Sequence, residues 1–403
     1  MSAGDPSPYA RLPEDLIQKM LEAVPYTVEK MEKMLGAQDE PIEAGIRALR
    51  NRNLICQLNP VTPSINSIMA ADGGQVIERM SGMDLLLAVA VGVEGLHNPE
   101  GDGWKANRNQ YEQWQTVMPH DEATPRLCQG AMFLMEIGVL AGATHEIRIM
   151  DGAHFTPLLK INSMLSAREE HAGEEYVAAL RGFLFQTYRK IIPDIPDMIS
   201  DALNDQGIIA IAKYSSSRDI LDSHVRDADI NGISLDDKTF FALGLEADEY
   251  TKPMSVGQSE EERRKIWNDL HIICNLEIKE KEDLNKHLEK AIQPIRTKNG
   301  REPKESDLFF TYYKPYANGP AYRIECKRAL AQDTERLERV LAGLKQQIVY
   351  PDIREPFPQY LADLMAKSVS GGLHALQDAV RLSLVHESTG ADRLDLLFSY
   401  RSR

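Results

Sequence analysis

The chain has 403 residues, with a formal net charge of −15 at pH 7, 43% hydrophobic and 27% charged residues. That length buries a sizeable core, and the composition is that of a globular protein rather than a disordered or fibrous one. The acidity argues against a simple nucleic-acid-binding module, which is usually basic, but not against an enzyme with a local basic channel.

No secretory signal is visible in Met1 to Arg11, and the longest apolar run, Leu85 to Val93, is too short to span a bilayer. Cys56, Cys128, Cys274 and Cys326 show no CxxC pairing, which suits reduced thiols and a cytoplasmic location. No membrane association is expected.

Leu12 to Asn53 reads as helices, with an apolar stripe at Ile17, Met20, Leu21, Val24, Met31, Met34 and Leu35. It is either a solvated face or a dimer or partner arm. A sheet begins near Ile65. Ser67 to Ala71 leads into Asp72, a Gly73-Gly74 turn is expected next, and Gln75-Val76-Ile77 opens a return strand. Asp84 to Val93 predicts a third strand. Asn98 to His120 is polar and reads as a loop or irregular insertion.

Thr124 as cap and Pro125 in the first turn open a helix to about Ala141. Glu136 is the lone charge of its apolar stretch, Ala131 to Ala141. Glu146 to Met150 predicts the next strand, ending at Asp151-Gly152. Phe155 to Arg189 reads as helical, Gly207 to Ala212 as a buried strand, and Glu260 to Ile295 as a charged helical insertion. Leu308 to Tyr313 and Ala321 to Glu325 predict paired strands around an Asn318-Gly319-Pro320 turn. Helices follow near Thr334 to Gln347, Pro358 to Val369 and Leu373 to Val385.

The chemistry sits in an ordered set of acids. Asp72 and Asp151 each follow an apolar run and precede glycine, and Glu136 lies on the helix between them. One Asp-Gly is most often an ordinary turn. Two of them flanking a helix with a lone Glu suggest a cluster of hard oxygen donors for divalent cations, as in two-metal phosphodiester cleavage. Lys213, followed by Ser215-Ser216-Ser217, could hold a phosphate or simply form a capped turn. His271 and Cys274 lack a second ligand pair, and His154 could orient a ligand or water, or be a core histidine. No P-loop, dinucleotide fingerprint or nucleophile elbow is present. A carboxylate-pair glycosidase is a weak third reading.

From about Ile65 onward the chain resembles the NurA nuclease family, partners of the HerA-type hexameric ATPase. The resemblance rests on an ordered series. It begins with Ala70-Ala71-Asp72-Gly73-Gly74, the apolar helix carrying Glu136, and Ile149-Met150-Asp151-Gly152. It continues with Ile211-Ala212-Lys213-Tyr214-Ser215, Phe240 to Pro253, and Tyr322-Arg323-Ile324-Glu325.

The resemblance implies an α/β fold: an RNase H-like (Piwi-like) mixed sheet flanked by helices, with N-terminal helices and a helical insertion. It implies an N-terminal arm over 1–60 and a nuclease domain over 61–403, with the insertion at about 258–300. It also implies a Mn²⁺- or Mg²⁺-dependent deoxyribonuclease, a homodimer, and docking on a HerA-type DNA translocase. The role would be DNA end processing in repair, or antiviral defence. Asp72, Glu136 and Asp151 match the family's metal-binding acids. Tyr350-Pro351 matches its late Tyr-Pro segment, but Asp363 stands where the family has a histidine. Asp363 is accordingly the expected fourth metal ligand, and Lys213 an expected catalytic residue. The same departure supports a rival reading, an inactive adaptor that docks on and regulates the ATPase.

Overall fold

The computed structural model describes residues 13–36, 38–96, 103–105, 110–154, 156–166, 173–183, 207–213, 215–228, 230, 232–256 and 308–386. The predicted insertion at 258–300 lies outside the described residues.

Three helices lead: α1 (Glu14–Glu22), α2 (Val24–Gly36) and α3 (Asp39–Asn51). α3 buries Ile42, Ile46 and Leu49 against Phe240 and Phe241. No described side chain of α1 or α2 is buried, and Leu16, Met20, Leu21, Val24 and Met31 are exposed.

The strands are β1 (Ile55–Gln57), β2 (Ile68–Met80), β3 (Met83–Glu94), β4 (Tyr111–Met118), β5 (Ile147–Asp151), β6 (Ile208–Ala212), β7 (Glu249–Thr251), β8 (Met254–Ser255), β9 (Leu308–Lys314) and β10 (Tyr322–Lys327). They form one mixed sheet in the order β1-β7-β9-β10-β6-β5-β2-β3-β4, with β8 on β9. β2, β5 and β6 are parallel neighbours, while β3 runs antiparallel to both β2 and β4.

Helices cover both faces of this α/β sheet. On one face lie α4 (Thr124–Gly142), α5 (Thr156–Ser166) and α6 (Glu174–Arg181), packed on Met69, Ala71, Met150 and Ala210. On the other, α8 (Arg328–Gln332) and α9 (Thr334–Gln346) pack on Ile68, Ala70, Ile149 and Ile211. The chain also forms α7 (Asp237–Gly244), α10 (Phe357–Lys367) and α11 (Val369–His386). Among the described residues no helix is long and apolar enough to cross a membrane.

Three expectations need correction. Gly73-Gly74 is not a turn: β2 runs straight through it, and the hairpin closes at Ser81-Gly82. The two glycines are required by close approach from opposite sides. A Cβ at Gly73 would lie 2.6 Å from Met132 Cγ of α4, and one at Gly74 only 2.1 Å from the Ala366 carbonyl oxygen of α10. Asp72 is therefore inside a strand, not at its end. Second, the polar stretch before His120 contains β4, an edge strand that buries Trp114 and Met118 and exposes Tyr111, Gln113, Gln115 and Val117 on its other face. Third, Thr124 is the first helical residue of α4 rather than its cap.

The 2.1 Å approach predicts a result. Gly74→Ala should cost about 1–3 kcal/mol of stability, because the obstacle is backbone and cannot rotate away. Gly73→Ala should cost less, since Met132 is a flexible side chain. Urea denaturation of the two variants checks the ranking.

Candidate metal centre

Side chains alternate across a strand, so Asp72 shares the α10 face of β2 with Ala70 and Gly74. Asp151 shares that face of β5 with Ile149. Ala70 pairs Ile149 and Ala71 pairs Met150 in parallel register, which sets Asp72 beside Asp151. β5 stops at Asp151 because Gly152 follows at φ +92°, a left-handed conformation that glycine adopts without strain. The turn is pinned by Gly152 N–H on the Ile211 carbonyl and by His154 N–H on Glu325 Oε2, at 3.1 and 2.9 Å.

α10 completes the group. It lies on β2 through Ala362 and Ala366 and turns Asp363 toward the two aspartates. Carboxylate oxygens of Asp72, Asp151 and Asp363 all fall within 4.8 Å of one another. Apolarity alone would put Leu361, Leu364 and Met365 on the buried side of α10, but Leu364 and Met365 are exposed, and the buried side is Pro358, Gln359, Ala362 and Ala366.

Glu136 reaches β2 from the opposite face. It is 1% exposed, its Oε2 would touch a Cβ at Gly73 at 3.4 Å, and its Oε1 has no hydrogen-bond partner. The missing side chain at Gly73 opens the space it fills. Glu136 is not within the 4.8 Å cluster, though it is near enough to feel the charges of Asp72 and Asp151. Burial first, and those two acids second, push its carboxyl well above the usual range. Burial and then Asp151 push Asp72 up to about 7.

Lys213, just past β6, points its ammonium at the acids. It lies 3.3 Å from Asp151, 3.2 Å from Asp363 and 3.4 Å from Glu355. Burial works against its charge, but the acids outweigh burial and its pKa is raised. Burial also raises Asp363, but hydrogen bonds and charges from Lys367 and Lys213 prevail, so its net shift is downward. Lys367 Nζ donates to Asp363 Oδ2 at 2.7 Å. The Ser215 to Ser217 run is taken up by protein groups: Ser215 Oγ accepts from Ser217 N–H, and Ser217 Oγ from Arg323.

Four contributors were missed. Gln359 donates to Asp151 Oδ1 at 2.6 Å and to the Ile211 carbonyl, fixing that carboxylate. Lys238 donates to the carbonyls of Ala212 and Lys213 and so fixes the backbone beneath the lysine. Glu355 is the third acid paired with Lys213, and Lys367 partners Asp363. Gln359, Asp363 and Lys367 recur every four residues, a helical stripe that was legible in the sequence. A cleft of about 400 Å³ opens beside Lys213, lined also by Lys238, Tyr322, Arg354, Glu355 and Tyr360.

The donor set fits a hard divalent cation. Three carboxylates converge, a buried Glu136 oxygen is unpartnered, and Asp72 is pushed up to about 7 by burial first and by Asp151 second.

No protein-family model matches the sequence, and no curated protein matches it. Solved structures do. The NurA nuclease from Sulfolobus solfataricus aligns with a TM-score of 0.53 at 14% identity, over 94% of this chain and 99% of that one. A NurA bound to dAMP and manganese aligns at 0.45 and 12%, over 94% and 99%. A NurA with manganese aligns at 0.46 and 12%, over 91% and 99%. At this identity the first of these is a likeness of fold, and it spans the whole neighbour.

Proposed function

We propose that the chain is a divalent-metal-dependent deoxyribonuclease built on an RNase H-like core. The observation that carries it is the convergence of Asp72, Asp151 and Asp363 from β2, β5 and α10, with Lys213 against them. The strand order β4-β3-β2-β5-β6, with only β3 reversed, supports the core assignment. So does the fold likeness to a NurA nuclease.

Asp72, Asp151 and Asp363 would hold Mn²⁺ or Mg²⁺, with Glu136 as a further acid reached from below. A bound cation of this kind lowers the pKa of its water and stabilises charge on phosphoryl oxygens. The chain's own residues do the rest. Gln359 orients the Asp151 carboxylate. Lys213, at the mouth of the cleft, offers an ammonium to a non-bridging phosphate oxygen. Lys238 and Arg354 line the same cleft and give an acidic chain a local basic path for a DNA strand.

The adaptor alternative drew its support from Asp363 in place of histidine. A carboxylate within reach of Asp72 and Asp151 is itself a suitable hard donor, which favours the nuclease. Partnership with a second copy and with a HerA-type hexameric ATPase, in repair or antiviral defence, follows from the sequence resemblance. The exposed apolar residues of α1 and α2 give such an assembly a surface to cover.

The purified chain should cleave linear DNA with Mn²⁺ and be silent in EDTA, and a HerA-type ATPase with ATP should stimulate it. No cleavage with the metal, alone or with the ATPase, would return the chain to the adaptor reading. Light scattering should find a dimer at micromolar concentration; a monomer removes that part.

A further inference from the structure

Lys213 stands where a metal's charge belongs. Two of its three carboxylate partners, Asp151 and Asp363, belong to the candidate metal cluster, at 3.3 and 3.2 Å. An ammonium and a divalent cation on the same two acids repel each other at short range. They compete for the same negative charge.

The third partner lies outside the cluster. Glu355 is 3.4 Å from Lys213 on the side of the cleft, and among the described residues it pairs with no other cation. It is half-buried, and Oε2, the oxygen that faces Lys213, has no other partner among the described residues. The backbone at Lys213 is fixed, because Lys238 Nζ holds the carbonyls of Ala212 and Lys213. Any displacement of the ammonium is therefore a swing of the side chain alone, and Glu355 is the acid that can receive it.

We propose that Lys213 is a resident counter-cation which an incoming divalent metal displaces from Asp151 and Asp363, and that Glu355 is the positioning residue that retains it. In the metal-free chain the ammonium keeps the acids together. With metal present, Glu355 holds it at the cleft, facing the substrate side. This rests on the metal-centre assignment above.

Manganese binding, read by calorimetry and by the electron paramagnetic resonance of free Mn²⁺, tests it without any cleavage assay. Lys213→Met removes the competitor. It should bind Mn²⁺ on the order of tenfold more tightly, the range typical of residues next to metal ligands, while melting lower in EDTA. Glu355→Gln removes the refuge and should weaken binding by a similar factor. The two are coupled: in the Lys213→Met background, Glu355→Gln should change nothing.

Lys213→Met binding manganese no more tightly than the parent overturns the proposal. So does Glu355→Gln weakening binding equally in both backgrounds, since Glu355 would then be a ligand itself. If Lys213→Met does not fold, Lys213→Arg takes its place. A guanidinium grips carboxylates bidentately and should weaken manganese binding; unchanged or tighter binding overturns the proposal. No manganese binding by the parent chain overturns the metal centre and this inference together, whereas binding insensitive to Lys213 overturns this inference alone.

Discussion

Asp72→Asn should reduce metal-dependent DNA cleavage on the order of 1,000-fold while leaving the folded chain at least as stable without metal. The first half follows from position. Asp72 is the acid at the centre of β2, beside Asp151 across the parallel pair and within reach of Asp363 from α10. A bound cation is worth several kcal/mol to phosphoryl transfer, and each 1.4 kcal/mol is a factor of ten in rate. The second half follows from charge. Burial and Asp151 already push the Asp72 carboxyl up to about 7, so its ionised form is unwelcome in the metal-free fold. Asparagine keeps the shape, can still accept from Gly73 N–H as Asp72 Oδ1 does at 2.8 Å, and removes the repulsion. Single-turnover cleavage and EDTA melting curves measure the two halves. A variant that cleaves normally would remove Asp72 from the site; one that is inactive because it is unfolded would make Asp72 a structural residue.

The pairing of Asp72 with Asp151 was legible because each follows an apolar run and precedes glycine, and the two flank a helix with a lone Glu. What surrounds them was less legible, for identifiable reasons. Gly73-Gly74 reads as a turn because paired glycines usually supply left-handed backbone. Here they supply thinness: α4 presses on one and α10 on the other, and a local sequence cannot say which use is made. β4 was hidden because its solvated face carries Gln113 and Gln115 and its inward face includes Glu112 and Thr116, so the apolar alternation is weak. The apolar residues of α10 point to the wrong helix face, since Leu364 and Met365 are exposed. Alanines, not leucines, mark the side of α10 that meets the sheet, since the Gly74 approach leaves no room for anything larger. Glu355 carries no signal of its own, because its importance comes from Lys213, more than a hundred residues earlier. The predicted insertion at 258–300 lies outside the described residues.

His154→Leu should remove a large part of the chain's sensitivity to acid. The imidazole is 2% exposed, and neither ring nitrogen has a hydrogen-bond partner. Burial first, then the charge of Lys327, lower its pKa from 6.5 to about 3. Its backbone N–H donates to Glu325, which fixes the backbone of the turn after Asp151. The sign is that of a depressed folded-state pKa. Between pH 6.5 and about 3 the unfolded chain binds a proton on this residue and the folded chain does not. Stability from this source is therefore present above pH 6.5 and is lost as pH falls, at about 1.4 kcal/mol per unit. The full span amounts to on the order of 5 kcal/mol, a sizeable share of a typical folding free energy. Asp72 and Asp237, both raised to about 7 chiefly by burial, act in the opposite direction and lose stability as pH rises. The parent's own profile therefore mixes the two trends, and only the difference between parent and variant isolates the histidine. Leucine fills a similar volume and leaves no unpartnered nitrogen, so at pH 7 it should be neutral or stabilising. Urea denaturation of both proteins at half-unit steps from pH 7 to 4 supplies the measurement. Stability curves that run parallel across that interval would mean that the folded chain protonates His154 as readily as the unfolded one, and the ring would then have a polar partner.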